Sequence, residues 1–374
     1  MQAIKKSYSV FEALETVLLN KLNTAIYRLP DEKDVMLIVQ EDHEFISTDI
    51  TRLHTDRGFL ITPFLEDNGN KTYFIKPDRF YKNSLKSEEF DSLKALRGPF
   101  NIQKTTNNQQ RDTDKSSFLD QVTRTISEIK TGKYDKIVLS RIKTVSGKFL
   151  PHLTKIFRLL CESYPGAFVY LFRIKDHCWV GASPEPLICS KENKLLTVSL
   201  AGTRPYSEEN LDVANWNQKE KEEQEYVTQY IEQILAEYGI KRYSKNGPFT
   251  KRAGRILHLR TDFLFDKELA GKNLFPLIKA LHPTSAVCGI PMGGSLNFIK
   301  DSELHDRQYY AGFLGPVGIN NNVQLFVNLR CMKVLENQLV LFVGGGITSK
   351  SVPEDEWEET EIKAETLLSV VQQV

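Results

Sequence analysis

Glu356-Trp-Glu-Glu-Thr-Glu-Ile-Lys363 places three charged side chains on one side of a predicted helix, because Glu356, Glu359 and Lys363 are spaced i, i+3 and i+7. The apolar residues that follow lie on nearly the same stripe at the helical period, namely Ala364, Leu367, Leu368 and Val371. We therefore expect these charges to point toward the protein interior. The alternative is a solvated helix end, on which Glu–Lys pairs contribute about 0.2–0.5 kcal/mol each.

A second glutamate with the same arrangement occurs far away in the sequence. The stretch 219–235 predicts an amphipathic helix from its apolar positions Tyr226, Val227, Tyr230, Ile231, Ile234 and Leu235. Extending that stripe backwards reaches Glu223, whereas Glu220, Glu222 and Glu225 are expected on or near the solvent-facing side. A carboxylate on a buried stripe is unfavourable unless it is paired, protonated or bound to a cation. If Glu223 and Glu359 converge on one cavity, they would suit Mg²⁺, which typically takes one or two protein carboxylates.

Composition and charge exclude several classes of protein. The 374 residues are 41% hydrophobic and 26% charged, which is typical of a globular protein. Because 49 basic residues balance 48 acidic ones, neither nucleic acid nor an anionic membrane is an expected partner. No apolar run is long enough to span a membrane, and the first residues lack the apolar core of a signal peptide, so we expect a cytoplasmic protein. The five cysteines include no Cys-x-x-Cys pair, which argues against disulfide bonds and a zinc site.

The order of predicted elements indicates an α+β fold with a large, mostly antiparallel β-sheet system covered by helices. Strands are expected near 35–39, 58–64, 136–141, 167–173, 178–182, 195–200, 324–334 and 338–342, and helices near 11–25, 117–130, 151–163, 210–238, 273–281, 302–313 and 354–372. A polar stretch at 101–117 predicts a mobile surface connection. We therefore interpret residues 1–374 as one domain with two subregions, an N-terminal portion (1–100) and a catalytic core (115–371).

Two polar residues are candidates for acid–base chemistry. In the strand Lys136–Arg141, alternation places Lys136 beside apolar neighbours, where burial would make it a usable general base. The alternative is an edge-strand lysine that prevents aggregation. Glu185 stands between two prolines directly after a strand, so its direction is fixed and it could act as an acid with a raised pKa. The alternative is an exposed glutamate in a turn.

Other segments carry features of a ligand site. Asn328-Leu-Arg330 places an arginine in a predicted strand, where it could bind a carboxylate with two hydrogen bonds. Leu200-Ala-Gly-Thr-Arg-Pro and Gly344-Gly-Gly346 permit close backbone approach to a ligand, although neither matches a nucleotide-binding pattern. His258 and His282, taken individually, are expected to be packed structural histidines.

Taken in chain order, these segments resemble the chorismate-utilising enzymes, which include isochorismate, salicylate, anthranilate and aminodeoxychorismate synthases. The resemblance covers about residues 115–371, and residues 1–100 resemble the family only loosely. It rests on nine ordered motifs, which are Lys136-Ile-Val-Leu-Ser-Arg, Gly181-Ala-Ser-Pro-Glu-Pro, Leu200-Ala-Gly-Thr-Arg-Pro, Lys219-x-x-x-Glu223, His282-Pro-Thr-Ser-Ala-Val-Cys-Gly-Ile-Pro, Tyr310-Ala-Gly, Asn328-Leu-Arg330, Gly344-Gly-Gly346 and Glu356-Trp-x-Glu-x-x-x-Lys363.

The resemblance implies that the nucleophile is water. Members that add ammonia have a glutamine where this chain has Lys136, and aminodeoxychorismate synthases typically have a lysine where it has Ala201. The implied reaction is that of an isochorismate synthase, in which Lys136 activates water for attack at ring C2 and Glu185 protonates the departing C4 hydroxyl. No amidotransferase subunit is then needed, and we expect a monomer.

The resemblance also implies how chorismate would be bound. Glu223 and Glu359 would hold Mg²⁺ against its ring carboxylate, with Glu356 alongside. The other implied contacts are Arg330, Tyr310, Gly344 and Lys363 at the enolpyruvyl carboxylate, Ala201, Gly202 and Thr203 near C4, and His258, Ala286 and Val287 around the ring.

The sequence is compatible with several alternative functions. A salicylate synthase makes the same intermediate and then eliminates pyruvate, and none of the motifs separates the two. An ammonia-using anthranilate-type synthase and a non-catalytic, Mg²⁺-dependent aromatic-acid binding protein are further alternatives. Isochorismate would serve menaquinone or siderophore biosynthesis, and the resemblance leans toward menaquinone.

Overall fold

Two antiparallel β-sheets form the centre of the molecule. The structure is a computed structural model that describes residues 7–42, 46–47, 49–53, 56–67, 69–104, 111–253 and 256–374. The predicted connection at 101–117 lies partly outside these residues. In the described part of the chain the strands are β1 (Ser7–Ser9), β2 (Asn23–Arg28), β3 (Val35–Gln40), β4 (Ile46–Ser47), β5 (Gly58–Thr62), β6 (Tyr73–Ile75), β7 (Arg79–Lys82), β8 (Ser84–Lys86), β9 (Lys136–Ser146), β10 (Phe168–Ile174), β11 (His177–Ser183), β12 (Pro186–Lys191), β13 (Lys194–Pro205), β14 (Ser244–Ala253), β15 (Ile256–Asp266), β16 (Gly289–Ile290), β17 (Phe313–Val317), β18 (Gln324–Val327), β19 (Cys331–Val334) and β20 (Gln338–Ile347).

The strands divide between the two sheets without regard to chain order. Eleven of them form one sheet in the order β1-β8-β7-β3-β2-β10-β11-β19-β20-β9-β16, and nine form the other in the order β14-β15-β13-β12-β18-β17-β5-β6-β4. The first hundred residues therefore contribute strands to both sheets. This topology confirms the predicted α+β class with antiparallel sheets.

Helices cover the sheets and separate several strands. They are α1 (Val10–Leu19), α2 (Ser87–Ala95), α3 (Lys115–Lys130), α4 (Leu153–Ser163), α5 (Gln218–Glu237), α6 (Lys267–Ala270), α7 (Leu274–Ala280), α8 (Met292–Ser302) and α9 (Pro353–Val371). No helix in the described ranges combines the length and apolar character needed to cross a bilayer.

Two large clusters of apolar side chains form most of the core in the described part of the chain. One lies between the sheets, where Phe168 of β10 stacks on Phe326 of β18 with ring centroids 4.3 Å apart. The other lies between the larger sheet and helices α1, α4 and α9. Ala364 and Leu367 of α9 are buried there, on the stripe predicted from the sequence. Because this stripe is buried, α9 is fixed against the sheet in one orientation.

Some predicted elements were wrong. A helix was expected at 302–313, but α8 spans Met292–Ser302, and residues 303–312 form turns and irregular segments. Tertiary contacts explain the difference, because the buried Arg307 side chain donates hydrogen bonds to backbone carbonyls of other segments. The strand predicted at 324–334 is split into β18 and β19, which belong to different sheets. The first helix ends at Leu19, since Asn23–Arg28 are recruited into β2.

Glu220 was also predicted wrongly. It is buried rather than solvent-facing, with 8% of its surface exposed. The cause is local, since Glu220 forms a reciprocal capping box with Asn217 and an ion pair with Arg204 at 2.7 Å. Strands β14 and β15 had not been predicted, although Leu257, Phe263 and their neighbours alternate at the strand period.

We predict that Phe168→Ala lowers the free energy of unfolding by about 3–5 kcal/mol, because it leaves a cavity between the sheets. Phe80→Ala is the control, since Phe80 is 39% exposed; we expect its effect to be about 0.5 kcal/mol. Urea unfolding measures both. Equal losses for the two variants would contradict this description of the core.

Candidate active site

Lys136 lies at the first position of β9, with neighbouring strands on both sides. Ile137 pairs with Ile347 of β20 and with Gly289 of β16. The Lys136 side chain is fully buried, and its Nζ lies 2.9 Å from Oε1 of Glu223 on α5. It is therefore not an exposed lysine on an edge strand, which was the alternative considered from the sequence.

The glycines of β20 allow charged side chains to approach the backbone. A Cβ atom on Gly346 would lie 2.6 Å from Oε1 of Glu223 and 2.8 Å from Cε of Lys136. A Cβ atom on Gly345 would lie 3.3 Å from Oε2 of Glu356 and 3.4 Å from Oε1 of Glu359. Since real Cβ atoms do not approach other atoms as closely as 2.6 Å, Gly346 cannot carry a side chain in this arrangement.

Three carboxylates from α5 and α9 thus meet beside adjacent residues of one strand, and each is paired with a lysine. Glu223 pairs with Lys136, Glu356 with Lys219 at 2.7 Å, and Glu359 with Lys363 at 2.6 Å. The last pair is within α9. The solvated helix end considered from the sequence is therefore not what the structure contains, since Glu356 is only 2% exposed.

All three carboxylates affect the pKa of Lys219. Burial alone would lower the pKa of Lys219, but Glu356, Glu223 and Glu359 together raise it above the ordinary value. The pKa of Glu356 is raised by burial and by the charge of Glu359. Acidic groups crowded in this way favour a cation among them.

These residues fit a divalent cation of the Mg²⁺ type in their chemistry. The donors are hard carboxylate oxygens, and their present counter-charges are lysine ammonium groups that a metal ion could replace. Within the described residues, no three His, Cys, Asp or Glu side chains are placed so that they could hold a metal ion together. That is compatible with Mg²⁺, because it takes few protein ligands and keeps water or substrate oxygens in its remaining positions.

Glu185 lies on the turn between β11 and β12, and only 4% of it is exposed. Its backbone N–H donates to Oγ of Ser183 at 3.4 Å, which fixes the turn. Burial raises the pKa of Glu185 to about 7, although Lys136, Arg260 and other cations favour its charged form. The carboxyl is therefore partly protonated near neutral pH, as a general acid requires.

Arg330 lies where the chain crosses from one sheet to the other. Residues 328–330 connect β18 to β19, so Arg330 is not in a strand as predicted, and its φ is 49°. Few residues other than glycine adopt this conformation. Asn328 anchors the crossing, since its side chain donates to the carbonyl of Tyr309 at 2.7 Å. Burial lowers the pKa of Arg330, and a buried guanidinium of this kind requires an anionic partner.

Glu185 and Arg330 line a pocket whose wall also contains His258 of β15. Its Nδ1 donates to the carbonyl of Gly202 at 2.7 Å, and burial lowers its pKa to about 3, so the ring is neutral. Among the described residues its Nε2 has no hydrogen-bond partner, and this atom is left as an acceptor for a ligand. Ala201 of β13 lies on the same wall. Thr203 also belongs to β13, but its side chain lies outside the described residues.

One pocket collects most of the predicted residues. Its empty volume is about 650 Å³, including its open mouth. The predicted residues that line it are Glu185, Ala201, Gly202, Glu223, His258, Ala286, Val287, Tyr310, Arg330, Gly344 and Lys363. Lys136, Glu356 and Glu359 lie directly beside the glycines of its wall. Their proposed roles remain predictions.

Arg307 was not predicted to belong to the site, because its segment was expected to be helical. Its guanidinium donates to the carbonyls of Val138 and Val287, each at 2.7 Å, and both valines line the pocket. It also donates to Glu303 at 2.6 and 2.8 Å. Arg307 thus joins two walls of the pocket. The available signal was its position three residues before the Tyr310-Ala-Gly motif.

The chain is similar to known proteins in sequence and in fold. A family model described as chorismate binding enzyme matches residues 70–372. The isochorismate synthase EntC of Escherichia coli (strain K12) is 30% identical over 264 residues, which are 69% of this chain and 67% of that protein. The vibriobactin-specific isochorismate synthase of Vibrio cholerae is 32% identical over 245 residues, which are 63% of this chain and 61% of that protein.

A solved structure shows the same fold over nearly the whole chain. It is that of MenF, the menaquinone-specific isochorismate synthase from Escherichia coli, with a TM-score of 0.76 and 20% identity. The match covers 98% of this chain and 94% of that one.

We predict that Arg307 and Glu303 are energetically coupled. Arg307→Met should lower the free energy of unfolding by about 3–5 kcal/mol, because it removes the arginine that pairs with the buried Glu303 carboxylate. Adding Glu303→Gln should recover part of that loss and give a coupling energy above about 1 kcal/mol in a double-mutant cycle. Chemical denaturation of the four proteins measures it. Additive effects would show that the pair does not hold the walls together.

Proposed function

The chain belongs to the family of chorismate binding enzymes, and on that premise we propose that it is an isochorismate synthase, which isomerises chorismate to isochorismate with Mg²⁺ as cofactor. The observation that carries the proposal is the combination of a buried lysine, Lys136, with a buried carboxyl of raised pKa, Glu185, at one pocket. That combination supplies a base and an acid for exchanging a hydroxyl group. The isochorismate synthases among the relatives support the same conclusion.

Substrate binding would depend on charge, because chorismate is a dianion. Arg330 and Tyr310 would bind the enolpyruvyl carboxylate beside the backbone of Gly344, and Lys363 adds a second cation there. Lys363 is already fixed, since it donates to the carbonyl of Gly344 at 2.8 Å. The two cations would offset carboxylates that otherwise repel the glutamates of the site.

The ring would lie against the wall formed by Ala286, Val287 and His258. Its C4 side would face Ala201, Gly202 and Thr203. The neutral His258 ring presents Nε2 as a hydrogen-bond acceptor, which suits a hydroxyl group. This wall would therefore orient the ring.

Glu223 and Glu359 would hold Mg²⁺, with Glu356 alongside. When bound, the ion would neutralise the ring carboxylate and draw electron density from the ring.

The proposed reaction exchanges one hydroxyl group for another. Lys136, as the neutral amine, takes a proton from water, and the water oxygen forms a bond to ring C2. The double bonds shift, the C4–oxygen bond breaks, and Glu185 donates its proton to the departing oxygen, which leaves as water. Lys136 then carries the extra proton and Glu185 the negative charge. Returning the proton from lysine to carboxylate, through solvent, resets the site.

The ion pair between Lys136 and Glu223 connects the metal site to the proposed base. Oε1 of the carboxylate lies 2.9 Å from Nζ. A cation bound by Glu223 would draw this carboxylate away from the amine that the reaction needs.

Water rather than ammonia is the proposed nucleophile, because a lysine occupies position 136. We therefore propose that the chain acts without an amidotransferase subunit and as a monomer. The cytoplasm is the proposed compartment, since the five cysteines are free thiols that a reducing compartment preserves. Menaquinone-specific and vibriobactin-specific relatives both occur, so either pathway fits.

The direct test is to incubate the purified protein with chorismate and Mg²⁺ and to measure isochorismate and pyruvate. We expect isochorismate without pyruvate. Lys136→Ala should reduce turnover by about 10²–10⁴-fold. Lys133→Ala is the matched control, since its side chain is 65% exposed and it should retain full activity.

Other outcomes would contradict the proposal in distinct ways. Pyruvate release would indicate a salicylate synthase, and amination of chorismate in ammonium buffer would indicate an ammonia-using synthase. Binding of chorismate without turnover would indicate a binding protein.

We predict a pH dependence set by Glu185. A general acid must be protonated, so kcat/KM should fall as the pH rises through about 7, the pKa of Glu185. Glu185→Gln should lower kcat/KM by about 10²–10⁴-fold and remove this alkaline limb, because an amide does not ionise. Rates measured from pH 6 to pH 9 test both points. An unchanged limb in Glu185→Gln would assign it to another group.

A further inference from the structure

A second cavity adjoins the pocket, and nothing described above uses it. We call it the vestibule; it is bounded by residues 163–167 at and after the end of α4, by Lys251 and Arg252 of β14, and by Thr366 of α9. Its empty volume is about 1110 Å³, open space included. The vestibule and the pocket have four lining residues in common, which are Pro184, Leu200, His258 and Arg330. The two cavities are therefore neighbours that meet at these side chains.

The vestibule carries an excess of positive charge. Lys251 and Arg252 are exposed at its rim, and Arg330 is buried at its inner end. Asp31 is the acidic residue among its lining residues in the described part of the chain. Lys251 pairs across the strands with His258, so both side chains lie on one face of the sheet. Lys251 at the rim and Arg330 at the inner end thus place a cation at each end of the vestibule.

The side of the pocket next to its glycine wall carries no such excess. Glu223 lines the pocket, and Glu356 and Glu359 lie behind the glycines, each paired with a lysine; within the described residues none of the three lines the vestibule. A dianion is therefore attracted by the vestibule, where positive charge is in excess, and not by the side where the charges balance. Electrostatic fields of this kind raise the rate at which charged ligands bind.

We propose that the vestibule is the entrance for the dianionic substrate, with Lys251 forming a weak first contact for its carboxylates before Arg330 receives one of them. This inference rests on the proposed function, because it assumes a dianionic substrate. It adds a route and a residue outside the reacting pocket. Lys251 acts on capture of the substrate and not on the chemical step.

The first experiment obstructs the vestibule. Thr366→Cys places a thiol in its wall, and Glu365→Cys places one at the neighbouring, exposed position of α9. Both proteins are treated with a bulky maleimide, and kcat/KM is compared before and after labelling of the same variant. Cys161 is partly exposed and is common to both proteins, which controls for its labelling.

We expect labelling to lower kcat/KM severely in Thr366→Cys and little in Glu365→Cys. Chorismate should slow labelling of the first variant only. If labelled Thr366→Cys retains the kcat/KM of its unlabelled form, the substrate enters elsewhere and the proposal is wrong.

The second experiment reverses a charge. Lys251→Glu should lower kcat/KM by about tenfold at low ionic strength, leave kcat nearly unchanged, and approach wild type in high salt, because added salt screens exposed charges. Lys148→Glu makes the same change of net charge at an exposed position beyond the far end of β9. Equal effects of the two substitutions would refute a specific role for the vestibule.

A third readout is independent of turnover and separates this inference from the proposed function. The rates at which anionic and cationic methanethiosulfonate reagents modify the introduced cysteines are compared. Positive potential in the vestibule predicts a higher anionic-to-cationic ratio in Thr366→Cys than in Glu365→Cys, and Lys251→Glu should reduce it. Equal ratios would refute the cationic entrance, whereas failure of chorismate turnover alone would refute only the proposed function.

Discussion

The absence of side chains at Gly345 and Gly346 is the constraint on which the active site depends. At each position a Cβ atom would lie within 3.4 Å of a carboxylate oxygen, from Glu359 or Glu356 at the first and from Glu223 at the second. These carboxylates come from α9 and α5, which are separated by more than a hundred residues of sequence. The bare strand leaves room for them to meet, so this charge arrangement requires both positions to lack a side chain.

Such a concentration of buried charge is stable only because opposite charges alternate. Lys136, Lys219 and Lys363 each pair with one of the three glutamates at 2.6–2.9 Å. Buried pairs of this kind contribute little net stability, since both partners lose their hydration. We propose that the pairs serve ligand binding: a metal ion could pair with the glutamates while the carboxylates of a dianionic substrate pair with the lysines, so no charge would be left uncompensated. Apolar core packing between the sheets provides the rigidity that the pairs do not.

The sequence predicted the parts of the site that follow local rules. The stripe shared by Glu359, Lys363 and Leu367 indicated inward-pointing charges, and the structure has them beside β20. The antiparallel class of the sheets was also predictable from hydrophobic patterning. Arg307 was not, because a single buried arginine has no periodic signal and its partners are backbone carbonyls distant in sequence. Position 330 was misassigned for a similar reason, since the crossing between sheets is a tertiary feature.

The central claim is that acidic side chains of α5 and α9 hold one cation beside the glycine strand. Anomalous diffraction from crystals soaked in Mn²⁺, which accepts the same oxygen ligands as Mg²⁺, tests it most directly. The account predicts one strong peak about 2.2 Å from oxygens of both Glu223 and Glu359. A peak bound elsewhere, or none while Glu223 stays paired with Lys136, would contradict it.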